Sequence, residues 1–201
     1  MGKVAVVYAG KYGTTKQYGQ WICEETGGAL FAADQCSEKL LEDYDVIVFG
    51  GAVHAGRILG MDRLRKWYPK LCQKKIAVYA VGLNVEDENA RAELRELNFF
   101  KQESSFKMIL RQAGAKRKLS DEEESFSQLP CFFLSGAYDP AKVSGGDKMM
   151  MGMVKKMIGG KPASQITESE RNLLTAMEEG ADYTDRAAAA PLIQWVLEAG
   201  K

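Results

Sequence analysis

Four apolar runs in this 201-residue chain end in the same way. Val4 to Tyr8, Val46 to Phe49, Ile76 to Val81 and Cys131 to Leu134 each stop at a glycine or small-residue loop. A fifth run, Ala29 to Ala33, ends at Asp34 instead. Short runs of this kind, without polar interruptions, suit strands covered on both faces. Segments with helical spacing lie between them. Tyr18, Trp21, Ile22 and Glu25 follow the first run and stop at Gly27-Gly28, and Leu40-Leu41 marks a turn of helix before Asp45. Leu64, Trp67, Tyr68 and Leu71 follow the third run, and Ala90, Leu94 and Leu97 the fourth. Strands alternating with helices predict a parallel sheet with helices on both faces, since each parallel connection needs a crossover. The expected fold is α/β, a three-layer α/β/α sandwich on a five-stranded parallel sheet. It is read as one domain over residues 1–201 with an insertion near the last strand. Ligands of such sheets bind beyond the carboxyl ends of the strands, so the loops at 9–15, 50–59 and 82–88 should meet at one crevice.

The second half is less regular. Phe106, Ile109, Leu110 and Ala113 keep helical spacing, and the clusters Lys116–Lys118 and Asp121–Glu124 read as a solvated surface connection. Ser135-Gly136-Ala137-Tyr138 closes the fifth strand of the expected sheet. Gly145-Gly146-Asp147 then opens a methionine-rich helix that Gly159-Gly160 and Pro162 close. Met150, Met153, Val154 and Met157 are placed on one face of it, with Lys148, Lys155 and Lys156 nearby. Core packing, a surface for a partner or apolar substrate, and a peripheral membrane contact all stay open for that face. Thr167 and Glu170 form a capping box for a helix carrying Leu173, Leu174 and Met177. A last helix with Leu192, Trp195, Val196 and Ala199 should pack on the sheet.

Composition removes several functions. Lysine plus arginine number 27 and aspartate plus glutamate 27, so no net field recommends nucleic acid. The single histidine, His54, excludes a histidine dyad or a multi-histidine metal site. Four widely spaced cysteines and no leading signal segment predict reduced thiols and a cytoplasmic location. No apolar run nears the ~20 residues needed to span a bilayer.

The first loop carries the chemistry. The strand Val4–Tyr8 passes through Ala9-Gly10-Lys11-Tyr12-Gly13 into Thr14-Thr15, where a helix should begin. The first N–H groups of a helix have no internal partner, and its dipole favours an anion there. Two threonine hydroxyls add donors for a phosphate. Neither the triphosphate loop G-x-x-x-x-G-K-[ST] nor the dinucleotide fingerprint G-x-G-x-x-G is present. A mononucleotide with one terminal phosphate remains.

YAGKYGTT and VIVFGGAVHAGRI resemble the flavodoxin family, whose loops bind flavin mononucleotide (FMN). With the late GGDKMMMGMVKKMIGGK segment and Tyr183-Thr184-Asp185, they are similar to the flavodoxin-domain branch that includes menaquinone-dependent protoporphyrinogen oxidase. The likeness runs from residue 3 to about 198 and is weak over 100–130 and 161–180. By position it implies a phosphate loop of Gly10, Lys11, Tyr12, Gly13, Thr14 and Thr15. Flavin-flanking loops would be Ala52, Val53, His54, Ala55, Gly56 and Arg57, and Gly82, Leu83, Asn84 and Val85. Gly136 and Tyr138 would approach from the loop after the fifth strand. Many flavodoxins carry hydroxyl side chains where this chain has Gly10 and Tyr12. His54 is expected beside the flavin as donor or cation, Arg57 at the flavin edge or a substrate carboxylate, and Asn84 at the ring's polar edge. The resemblance implies FMN as cofactor and an oxidoreductase passing electrons from a porphyrinogen to a quinone. An electron carrier docking with protein redox partners, and a non-redox binding module with weak flavin affinity, stand as alternatives.

Overall fold

The structure is a computed structural model and describes residues 2–83, 85–100, 120–143 and 145–201. Five strands form the parallel sheet: β1 (Val4–Ala9), β2 (Ala29–Ala32), β3 (Val46–His54), β5 (Lys75–Gly82) and β6 (Cys131–Ser135). Their spatial order is β2-β1-β3-β5-β6, so the chain runs outward from β1 on one side, then crosses back beyond it. Alternate residues of one strand enter different cores. Val4, Val6, Val46, Val48, Ala77 and Tyr79 face α1 (Thr14–Thr26) and α8 (Ala190–Ala199), where Tyr18, Ile22, Leu192 and Val196 are buried. Ala5, Val7, Ile47, Phe49, Ile76 and Val78 face α2 (Glu38–Leu41), α3 (Met61–Leu71), α4 (Glu88–Phe99) and α5 (Asp121–Ser127). Both faces are covered, which is why these strands read as unbroken apolar runs.

β3 runs five residues past the expected end at Phe49. Gly50 is a sheet position there, not a stop. A Cβ on Gly50 would lie 1.9 Å from Cζ of Tyr79, its cross-strand partner on β5. The fully buried Tyr79 ring fills that space, and its hydroxyl donates to the Thr15 carbonyl at 2.9 Å. The start of α1 is thereby tied to the sheet centre. Past Gly51, β3 turns back through Ala55-Gly56 into β4 (Arg57–Ile58), a two-residue hairpin. Both turn residues have positive φ, 49° and 73°, as a type I′ turn requires.

The acidic cluster Asp121–Glu124, expected as a surface connection, lies instead in helix α5, Asp121–Ser127. Ser120 and Glu123 make a reciprocal capping box, and Phe126 is buried against Tyr68 and Phe99. The helical spacing over 106–113 and the basic cluster at 116–118 lie outside the described residues.

After β6 the chain leaves the sheet. β7 (Ala137–Tyr138) pairs antiparallel with β8 (Ala181–Asp182), and the two ends of a long excursion are clamped together. Between them lie α6 (Gly145–Gly159) and α7 (Glu168–Glu179). Tyr18 fixes the base of this excursion: its hydroxyl donates to the Ser135 carbonyl at 2.8 Å and accepts from the Asp185 N–H at 3.1 Å. The expected insertion is this segment. No helix among the described residues is long and apolar enough to cross a membrane.

Candidate functional site

Order reverses between β1 and β3, and a cleft at the carboxyl ends of the strands is the site such a reversal creates. A cavity of ≈ 280 Å³ lies there. The first loop and α1 supply Lys11, Tyr12, Thr14 and Thr15. The end of β3 and its hairpin supply Ala52, Val53, His54, Ala55 and, on the return, Leu59. Val81, Gly82 and Leu83 come from β5 and its loop, and Gly136, Ala137, Tyr138 and Val143 from the chain after β6. The excursion closes the remaining side with Asp147, Met151 and Val154 of α6 and Leu173 and Met177 of α7.

Twelve of the expected residues line this cavity: Lys11, Tyr12, Thr14, Thr15, Ala52, Val53, His54, Ala55, Gly82, Leu83, Gly136 and Tyr138. Some expected residues stand elsewhere. Arg57 lies past the hairpin turn and donates to the Leu97 carbonyl of α4 at 3.0 Å, away from the cavity wall. Gly56 is consumed by the turn, and Val85 is buried in the α3–α4 core. Asn84 lies outside the described residues. Gly10 and Gly13 support the first loop without lining the cavity. A Cβ on Gly10 would meet Thr15 Oγ1 at 2.7 Å, so the hydroxyl of Thr15 occupies the room a side chain at position 10 would need.

The polar end of the cavity is the start of α1. α2, α4, α5 and α7 have side-chain caps from Ser37, Asp87, Ser120 and Thr167. α1 starts on Gly13 with no side-chain cap and no acidic residue in its first turn. Its leading N–H groups, with the Thr14 and Thr15 side chains, therefore remain available to an anion. Much of the remaining lining is apolar: Val81, Leu83, Val143, Met151, Val154 and Met177.

Asp147 ties the first loop to the end of β3. Tyr12 Oη donates to Asp147 Oδ2 at 2.6 Å, and Lys11 Nζ lies 3.0 Å from both carboxylate oxygens. His54 Nε2 is 3.2 Å from Oδ1. The Tyr12 and Lys11 hydrogen bonds hold the Asp147 carboxyl below the usual aspartate range. The same carboxylate pushes the Tyr12 phenol up to about 12. One acid of the excursion thus latches onto three loop residues that the sequence placed at a phosphate and ring site.

The methionines divide differently from the expected face. Met151, Val154 and the buried Ile158 point inward at i, i+3 and i+7, whereas Met149, Met153 and Met157 are among the most exposed large apolar residues described. With methionine at five of nine consecutive positions, spacing alone does not say which stripe faces in.

The family model described as "Flavodoxin domain" matches residues 5–165. Solved structures to which the chain is similar include oxidised flavodoxin 2 from Bacillus cereus, at 18% identity over 62% of this chain and 92% of that one, TM-score 0.38. The flavodoxin, WrbA-like protein from Agrobacterium tumefaciens is 17% identical over 64% and 92%, TM-score 0.38. The Trp repressor binding protein from Bacillus subtilis is 15% identical over 91% and 100%, TM-score 0.40. No curated protein matches the chain. The chain belongs to the flavodoxin-domain family.

Proposed function

We propose that the chain, as one domain, binds FMN in this cavity and acts as a flavin-dependent oxidoreductase on small molecules. The uncapped start of α1, opening onto a cavity with a largely apolar lining, carries the reading. Bound FMN would supply one- and two-electron chemistry through its ring. The α1 N–H groups, Thr14, Thr15 and Lys11 hold the phosphate. Ala52 to Ala55 and Gly82-Leu83 flank the ring, and Tyr138 offers an aromatic wall. His54, a quarter exposed, presents a donor or a positive charge toward the same space. α6 and α7 roof one side of the cavity.

That roof favours an enzyme over a carrier, because a carrier must bring its flavin edge against a partner protein. The balanced charge points the same way, since it gives a docking partner little to steer by. The resemblance names a porphyrinogen as electron donor and a quinone as acceptor, and the apolar wall suits a quinone ring. Purified protein should be yellow and release one FMN per chain on denaturation, and it should turn over protoporphyrinogen with a quinone acceptor. Colourless protein that takes up no added FMN would sink the flavin reading and leave a binding module. Flavin-loaded protein that ignores small molecules but exchanges electrons with a protein partner would establish the carrier.

Gly10→Ser tests the phosphate loop from an unexpected side. It restores a hydroxyl where many related loops have one, which by donor count alone should tighten binding. Because Thr15 Oγ1 already fills that space, the variant is expected to bind FMN about threefold more weakly, the scale of a displaced hydrogen bond. Flavin fluorescence titration reads the Kd, and tighter binding would contradict the geometry.

A further inference from the structure

α6 carries apolar residues on two opposite faces. Met151 and Val154 line the cavity and Ile158 is buried, whereas Met149, Met153 and Met157 are 70%, 63% and 66% exposed. The exposed three recur at i, i+4 and i+8, a continuous stripe about 12 Å long on the side away from the cavity. A Cβ on Gly152, beside this stripe, would meet nothing within 4 Å, so no other described element packs there. A roof helix in water normally turns polar side chains outward, and a row of apolar ones marks a contact surface.

The charges of α6 sort with these faces. Its only acid, Asp147, turns inward to Lys11 and Tyr12. Lys148 and Lys156 are exposed, and each precedes a stripe methionine by one position, about 100° round the helix. Neither has an ion pair among the described residues, whereas Lys155 reaches Glu178 on α7 and Lys161 reaches Glu170. The outward face of α6 is therefore apolar along its centre and positive along one flank, with no acid of its own. Charge and shape together choose the occupant. Two copies meeting through this face would bring unpaired lysines together. A folded acidic partner would match the charge, but a row of flexible, unbranched side chains offers no pocket for an anchor. A lipid surface needs none: hydrocarbon accepts methionine in any rotamer, and anionic headgroups lie where the lysine ammoniums reach.

We propose that the outer face of α6 docks the protein on an anionic phospholipid surface. Met149, Met153 and Met157 enter the boundary between headgroups and hydrocarbon, and Lys148 and Lys156 bind the headgroup phosphates. The helix lies along the surface, because the exposed stripe runs parallel to its axis. Three methionines and two lysines make a weak, reversible contact that salt loosens. Met151 and Val154 line the cavity from the other face of the same helix, so docking brings the cavity within about 10 Å of the lipid. The binding chemistry is independent of the flavin. Only the consequence that an apolar electron acceptor reaches the cavity from the lipid rests on the reading above.

The test sediments the full-length protein, its FMN content measured, with sucrose-loaded vesicles of phosphatidylcholine or of an equal mixture with phosphatidylglycerol. At low ionic strength the mixed vesicles should bind about tenfold better or more, since each lysine near an anionic surface contributes about fivefold. Added salt should shrink the difference. Met149→Gln, Met153→Gln and Met157→Gln together should lower binding to the mixed vesicles about tenfold. All three side chains are exposed, so FMN content and unfolding midpoint should be retained. Lys148→Gln with Lys156→Gln should remove most of the preference for anionic lipid. Wild-type protein that ignores the mixed vesicles, binds both compositions alike, or binds unchanged in the methionine variant would overturn the proposal. Self-association without vesicle binding, abolished in the methionine variant, would overturn it in favour of a second copy. Binding of poly-glutamate as tight as that of the vesicles would overturn it in favour of an acidic protein. Vesicle binding by protein that takes up no FMN would support the docking and overturn only the flavin reading.

Discussion

Gly50→Ala is expected to destabilise the protein by about 2–4 kcal/mol, although it adds one methyl group to a β-strand. At a strand position with ordinary backbone angles and open space, the same change stabilises by about 0.4–1 kcal/mol through the unfolded state. Space decides the sign. The new Cβ would stand 1.9 Å from Tyr79 Cζ and 2.3 Å from Tyr79 Cε1 and Oη. Tyr79 is fully buried and has nowhere to retreat without giving up its 2.9 Å bond to the Thr15 carbonyl. Burial also pushes its phenol pKa up, so the ring stays a neutral donor. For a chain of this size the loss corresponds to a fall in the unfolding midpoint of roughly 10 °C. Tyr79→Ala alone should cost about 3–5 kcal/mol through its cavity. The double variant should cost at least 1 kcal/mol less than the sum, because the methyl group at position 50 enters space the ring has vacated. Additive losses would show that the two residues do not compete for one volume. The effect reaches the site as well: a displaced Tyr79 releases the start of α1, so the surviving folded fraction should bind FMN more weakly.

This pair shows what the sequence made legible and where it stopped. The parallel order, the two-faced burial and the start of α1 at Thr14 could all be read from apolar runs and Gly-Thr-Thr. Those features are local or periodic. Gly50-Gly51 carries the same letters as a turn; only the Tyr79 ring across the sheet shows that Gly50 makes room rather than breaks the strand. Arg57 is close to His54 in sequence, but a two-residue hairpin turns the chain between them and Arg57 bonds to α4 instead. The capping box Ser120-x-x-Glu123 overlaps the acidic run Asp121–Glu124, whose charge alone resembles a solvated connection. The β7–β8 pairing joins two-residue strands more than 40 positions apart, too short for any pattern to register. Asp147 was visible only as a helix-opening acid, since its three partners lie more than 90 positions upstream.

Asp147→Asn is expected to tighten FMN binding about tenfold. In the structure the carboxylate holds the Lys11 ammonium, the Tyr12 hydroxyl and His54, all lining the cavity that α1 opens onto. A phosphate placed on α1 needs Lys11 for itself and is repelled by a neighbouring carboxylate, whose removal is worth about a factor of ten for charges a few ångströms apart at a watered surface. The amide keeps the size and one acceptor, so α6 stays near its position while the charge is lost. The rate of flavin uptake should rise with the affinity, because the latch no longer has to open first. The pH dependence follows from the directions of the shifts. The Asp147 carboxyl is lowered, so its contribution is present above the ordinary aspartate value of about 3.9 and is lost as pH falls through the lower folded value. The Tyr12 phenol is raised, so its contribution is present below the ordinary tyrosine value of about 10 and is lost as pH rises through about 12. Between pH 7 and pH 9 neither group titrates and the phosphate, whose second pKa is about 6, keeps one charge state, so the ratio of Kd values for wild type and Asp147→Asn should be flat across that window. Stopped-flow flavin fluorescence measures both rate and affinity. Weaker binding in Asp147→Asn would reverse the assignment: the carboxylate would then be holding Lys11, Tyr12 and His54 in the arrangement the cofactor needs, as part of its cradle rather than as its competitor.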